Sequence, residues 1–266
     1  MNRGARRRML WGRRRYRGYW KRLYRKNHDE LRRALRSDPS RYLESSRPDT
    51  VVRLEFEAAL GILAGGGSGE LAKAYLQRVQ SMLRRVSQQA LLESTADSEL
   101  YPTNRGTLTR LGVYADFLLG QPLNARELAR AGHDYETWCA SRLTHGWDAF
   151  TQYMYLIAVR TALVAQDVKG ALRTLDQAPA FDAQLEQADV LRALIGAASG
   201  ELSDKEQKAF RRRFDRFYDR FRAPGTGPDF HEYAVAPFEF AIVRESYLTA
   251  PGQRPTAAAV IAAYAA

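Results

Sequence analysis

One cysteine, no long apolar run and few β-branched residues set the first limits on this chain of 266 residues. A single thiol, Cys139, excludes an intramolecular disulfide framework and any multi-cysteine metal site. No apolar stretch reaches the roughly 18 residues that a membrane-spanning helix needs. The cluster Arg6-Arg7-Arg8 is followed by no apolar h-region, so no secretory or twin-arginine signal is read. A reducing cytoplasm is the expected compartment.

Val and Ile together occur 17 times, whereas Ala occurs 39 times. Ala is the best helix former, and strands are enriched in β-branched residues. The expected fold is therefore all-α, a multi-helix bundle or helical-repeat-like array preceded by a basic N-terminal helical arm.

Acidic residues are missing from one region. Residues 1–26 hold 12 Lys and Arg and no Asp or Glu, while 27–266 hold 29 basic and 30 acidic residues. The basic excess thus lies in an aromatic arm, taken as 1–46, attached to an all-helical body, 47–266, with a candidate internal boundary at 94–106. Tyr16, Trp20, Leu23 and Tyr24 share one face of a helical projection. The candidate polyanion contacts are Arg6, Arg7, Arg8, Arg13, Arg14, Arg15, Arg17, Trp20, Lys21, Arg22, Arg25 and Lys26. Arg and Lys neutralise phosphates, and Trp stacks on bases or sits at a lipid interface.

Along the body, apolar positions recur at helical spacing. Val52, Phe56, Leu60 and Leu63 form a stripe that stops at Gly65-Gly66-Gly67. Leu71, Tyr75, Met82 and Val86 mark a long helix over 69–93. Leu108, Leu111, Ala115 and Leu118 give a helix closed by Gly120 and Pro122. Asn124 with Glu127 has capping-box spacing and opens a short helix. Residues 147–165 are apolar nearly all round and belong at the centre, with Met154, Ile157 and Ala158 buried. Leu185, Ala188, Leu191, Ile195 and Ala198 form another stripe. Ser203 with Glu206 opens a helix lined by Phe210, Phe214, Phe217 and Phe221. Pro237 begins a further helix, and Thr256 to Ala266 forms the last. Nine to eleven helices are expected in all.

Trp147 to Pro179 resembles a tetratricopeptide-type hairpin: a bulky first helix, a tight Gln166-Asp167 turn, then Ala171, Leu175 and a closing Pro179. The second helix is short for the 34-residue repeat, and no second copy follows at a fixed offset, so the resemblance implies one hairpin of that shape.

No motif demands chemistry. Gly65 to Gly69 precedes a helix, but Glu70 stands where a Walker loop needs Lys, so a flexible connector is read. His133, Cys139 and His145 are six apart and point to different helix faces, which suits an apolar filler at Cys139 better than zinc. Asp229, His231 and Glu232 lack any companion nucleophile, and Glu239 and Arg244 read as a pair within one helix or as solvent-facing. In Arg211-Arg212-Arg213, Arg216, Arg220 and Arg222, the interleaved Asp215 and Asp219 predict an ion-paired face rather than a polyanion groove. No metal or cofactor is expected. The function expected is a non-enzymatic protein-interaction module, in one concrete form a bacterial immunity- or antitoxin-like protein covering a partner. The alternative is a nucleic-acid or anionic-membrane-surface binder acting through the arm.

Overall fold

The structure is a computed structural model that describes residues 48–85, 101–143, 149–178, 181, 186–221, 235–249 and 253–266. The described residues form ten α-helices and no strand. We number them α1 (Pro48–Ala64), α2 (Gly69–Arg85), α3 (Tyr101–Leu118), α4 (Ala125–Arg142), α5 (Ala149–Val164), α6 (Val168–Gln177), α7 (Glu186–Ala198), α8 (Asp204–Phe221), α9 (Val235–Arg244) and α10 (Ala257–Ala265). A single π-helical turn, Glu245–Thr249, continues α9. The all-α expectation holds. The arm, residues 1–46, lies outside the described residues, as do 94–100 of the candidate boundary, whereas 101–106 belong to α3.

Local chemistry explains where helices begin. Asn124 Oδ1 accepts from Glu127 N and opens α4, which runs for 18 residues rather than being short. Ser203 donates through both its N–H and its hydroxyl to the Glu206 carboxylate, which supplies the glutamate half of the expected box at α8. Asp167 and Thr256 cap α6 and α10 through the amides of Gly170 and Ala259.

The glycine stretch after α1 is not a loose connector. Gly67 N donates to Ile62 O and Gly66 N to Leu63 O, with Gly66 at φ 66°, so the chain turns through a hydrogen-bonded helix end. A Cβ on Gly67 would lie 2.9 Å from Ile62 Cγ2.

Helices that follow one another in sequence pack together from α1 to α10, and α10 also packs on α1. One apolar core runs from Val52 to Tyr264. The α5–α6 pair forms the expected hairpin, turning at Gln166 (φ 62°) and Asp167. As expected, α5 is central: it packs on α4, α6, α7 and α9, with Ile157 and Ala158 buried, though Met154 is only half-buried. It shares that position with α9, whose residues 235–243 are buried without exception. Leu71, placed on an apolar stripe by its spacing, is 43% exposed because the buried face of α2 runs through Ala72, Tyr75, Leu76 and Val79, about 90° round the helix from it.

Candidate functional site

A helix buried on all sides has to satisfy any charge it carries from within the core. In α9 that charge is Glu239. Its Oε1 accepts from Arg110 Nε at 2.9 Å, from Arg110 Nη2 and from the Tyr114 hydroxyl at 2.6 Å. Its Oε2 accepts from Arg160 Nε at 2.9 Å. Arg110 and Tyr114 stand one turn apart on α3, and Arg160 comes from α5, so one carboxylate ties three helices. Both guanidiniums are essentially without solvent exposure.

The hub extends outward. Arg160 Nη1 donates to Gln187 Oε1 on α7 at 3.0 Å, and its guanidinium lies 5.8 Å from the Tyr153 ring centre and 5.7 Å from that of Phe240. Arg110 Nη1 donates to the Tyr135 hydroxyl on α4 at 2.9 Å, and that hydroxyl is 2.7 Å from Thr107 Oγ1. Gly106 makes the α3–α4 approach feasible: a Cβ there would lie 2.9 Å from Tyr135 Cε2.

Burial pushes the Glu239 carboxyl up, and the Arg110 and Arg160 charges with the Tyr114 hydroxyl reverse this and hold it below the ordinary carboxylate value. Burial beside that carboxylate drives the Tyr114 hydroxyl well above its usual range. Glu239 therefore stays ionised with both oxygens engaged by fixed donors. That is an arrangement for holding helices in register, with the carboxylate enclosed in the core. Glu55 behaves differently: it receives a bidentate contact from Arg78, yet burial outweighs the guanidinium and holds its carboxyl above the usual value.

An open cleft of about 450 Å³ lies between α2, α3 and α4. Leu83 and Leu108 supply apolar surface, and Gly112 lets the helices approach, since a Cβ there would meet Leu83 Cδ1 at 2.9 Å. Around them stand Gln80, Arg84, Arg105, Asp116, Glu127 and Arg130. Two of these charges are engaged inside the cleft wall: Arg105 Nε donates to Asp134 Oδ2 at 2.9 Å, and Gln80 Nε2 donates to Asp116. Arg84, Glu127 and Arg130 face solvent.

Among the described residues, those singled out from sequence do not converge. His133 is exposed, with Nδ1 3.6 Å from Glu136 Oε2. Cys139 is buried beside Trp138 and Tyr155, and burial drives its thiol far above the usual range, so it remains protonated and inert. His145, Asp229, His231, Glu232 and all twelve arm contacts lie outside the described residues. Glu239 and Arg244 are not a pair: Glu239 turns to α3 and α5, while Arg244 Nε donates to Asp215 Oδ1 of α8 at 2.9 Å. Sequence reasoning missed Arg110, Arg160 and Gln187. The available signal was a single charge within an apolar run on each of two helices, Arg160 in α5 and Glu239 within 235–243 of α9, since isolated buried charges require each other. Comparison of the chain with protein-family models, with curated proteins and with solved structures gives no match.

Proposed function

We propose that this protein is a non-enzymatic helical interaction module that takes an acidic segment of a partner protein in the α2–α3–α4 cleft. The observation that carries the reading is the composition of that cleft, in which Leu83 and Leu108 are surrounded by charged groups. An apolar centre with a polar rim is the anatomy of protein interfaces. Arg84 and Arg130 outnumber Glu127 among the solvent-facing charges, which favours carboxylates on the partner. An immunity- or antitoxin-like protein covering a bacterial toxin is one concrete form of this reading.

The test uses the full chain to recover a partner from its native host, followed by titration of the purified pair. Arg84→Glu with Arg130→Glu should weaken that pair by tenfold or more, about 1.4 kcal/mol, while the melting temperature stays unchanged. An affinity equal to the parent's would remove the cleft from the proposal.

A second reading is favoured by the 12 Lys and Arg and no acid in residues 1–26. In this reading the arm contacts phosphates of nucleic acid or of an anionic membrane, and its neutralisation abolishes that binding without touching the partner protein.

A further inference from the structure

The strongest uncommitted charge on the described surface lies along α8. The sequence predicts that Asp215 and Asp219 pair with the arginines of their own helix, and for Asp215 the structure shows another partner. Asp215 is turned toward α9, where it holds Arg244 at 2.9 Å. Two acids of α7 also meet α8 arginines: Asp189 at 4.0 Å from Arg213, and Glu186 against Arg220. Glu206 caps the start of the helix through Ser203.

That distribution leaves one face basic. At about 100° per residue, Lys205, Lys208, Arg212 and Arg216 fall within an arc of about 80°, opposite the stripe of Phe210, Phe214, Phe217 and Phe221. All four are exposed, and none makes a salt bridge among the described residues. They extend over about 16 Å of helix axis. One carboxylate, Asp219, stands at the far end of this face.

We infer that the outer face of α8 is a nucleic-acid phosphate-binding surface, with Lys205, Lys208, Arg212 and Arg216 as its contacts. Three features select this partner. A file of cations matches a polymer with regularly spaced negative charge, and each contact gains by releasing a condensed counterion. Guanidiniums at two of the four positions match phosphate oxygens through paired N–H donors. The face carries no apolar anchor, because Phe214, Phe217 and Phe221 of α8 pack inward on Phe240 of α9 and Phe210 packs on Phe214. A membrane-surface helix needs such residues to enter the lipid interface, and a protein partner needs them as a desolvated centre. The surface uses neither the cleft nor residues 1–26.

The test compares three full-length proteins: the parent, a stripe variant K205Q/K208Q/R212Q/R216Q, and a control K73Q/R126Q/K169Q/R173Q that removes four exposed charges elsewhere. Fluorescence anisotropy against a mixed-sequence DNA duplex and a mixed-sequence single strand is read across a salt series. The stripe variant should bind at least tenfold more weakly at low salt, and its slope of log affinity against log salt should shrink by about three to four. The control should keep most of the parent's affinity, and all three should melt together because the replaced side chains are solvent-facing. Parent-like binding by the stripe variant, an equal loss in the control, or no nucleic-acid binding by the parent would each overturn the assignment. So would parent binding confined to vesicles of phosphatidylcholine and phosphatidylserine. A difference between duplex and single strand would identify which form the surface takes.

Discussion

Arg160 and Glu239 are 79 residues apart in sequence and meet at 2.9 Å in a part of the core that water does not reach. Arg110, 129 residues from Glu239, approaches the same carboxylate from the other side. Each guanidinium would be a severe liability in an apolar interior without that carboxylate, so α9 supplies the charge that permits α3 and α5 to carry theirs.

Removing this carboxylate should be costly. Glu239→Leu leaves two buried cations facing each other and is expected to destabilise the fold by about 3–5 kcal/mol. Replacing all three groups, with Arg110→Met and Arg160→Met added, should recover most of that loss, because an apolar cluster of similar volume needs no partner. Urea denaturation of the single and triple variants measures both values. A loss below about 1 kcal/mol in the single variant would show that the hub does not hold the helices together.

Acid should weaken the protein through the same group. The folded Glu239 carboxyl titrates below its ordinary value of 4.5, so its contribution is complete above that pH and disappears as pH falls through the lower folded value. Glu55 works in the opposite sense: its folded value is raised, so its protonation in acid favours the folded state. Melting temperatures followed from neutral pH down to about pH 3 should fall less steeply below about pH 4.5 in Glu239→Gln than in the parent. Glu55→Gln should make the parent's fall steeper. Identical profiles for all three proteins would contradict both assignments.

The α5–α6 turn offers a gain in stability. Gln166 is held at φ 62°, a left-handed conformation that costs a side chain about 1–2 kcal/mol and glycine almost nothing. Gln166 is exposed, so replacing it loses little packing. Gln166→Gly should raise stability by about 1 kcal/mol, observable as a higher denaturation midpoint. An unchanged midpoint would mean that the turn imposes no strain on that residue.

These elements differ in how readily their sequence disclosed them. Capping boxes such as Asn124 with Glu127 and Ser203 with Glu206 act within one helical turn, so local spacing was sufficient to read them. The helix stripes around Phe56, Leu111 and Phe214 were legible for the same reason, since burial follows a 3.6-residue period. Leu71 fails that rule because the face that packs is centred on Ala72, Leu76 and Val79, and a stripe drawn through Leu71 and Tyr75 runs along its edge. The hub was illegible as a set: no local spacing relates Arg110, Arg160 and Glu239, and only the packing of α9 between α3 and α5 brings them together. Asp215 shows the same limit, for its spacing to the arginines of α8 permits pairing, but Arg244 on another helix competes for it and wins.

The position of α9 after α3 and α5 sets an order of events during synthesis. A ribosome adding about 5–20 residues per second takes roughly 6–26 s to pass from Arg110 to Glu239. Until Glu239 is made, first Arg110 alone and then, from residue 160 onward, both arginines lack their shared counter-charge, on the sides of α3 and α5 that meet α9 in the finished fold. Any pause before codon 239 prolongs the exposure, and a nonsense codon upstream of it leaves a product whose central slot stays open. For these helices, the core closes only once α9 has been made.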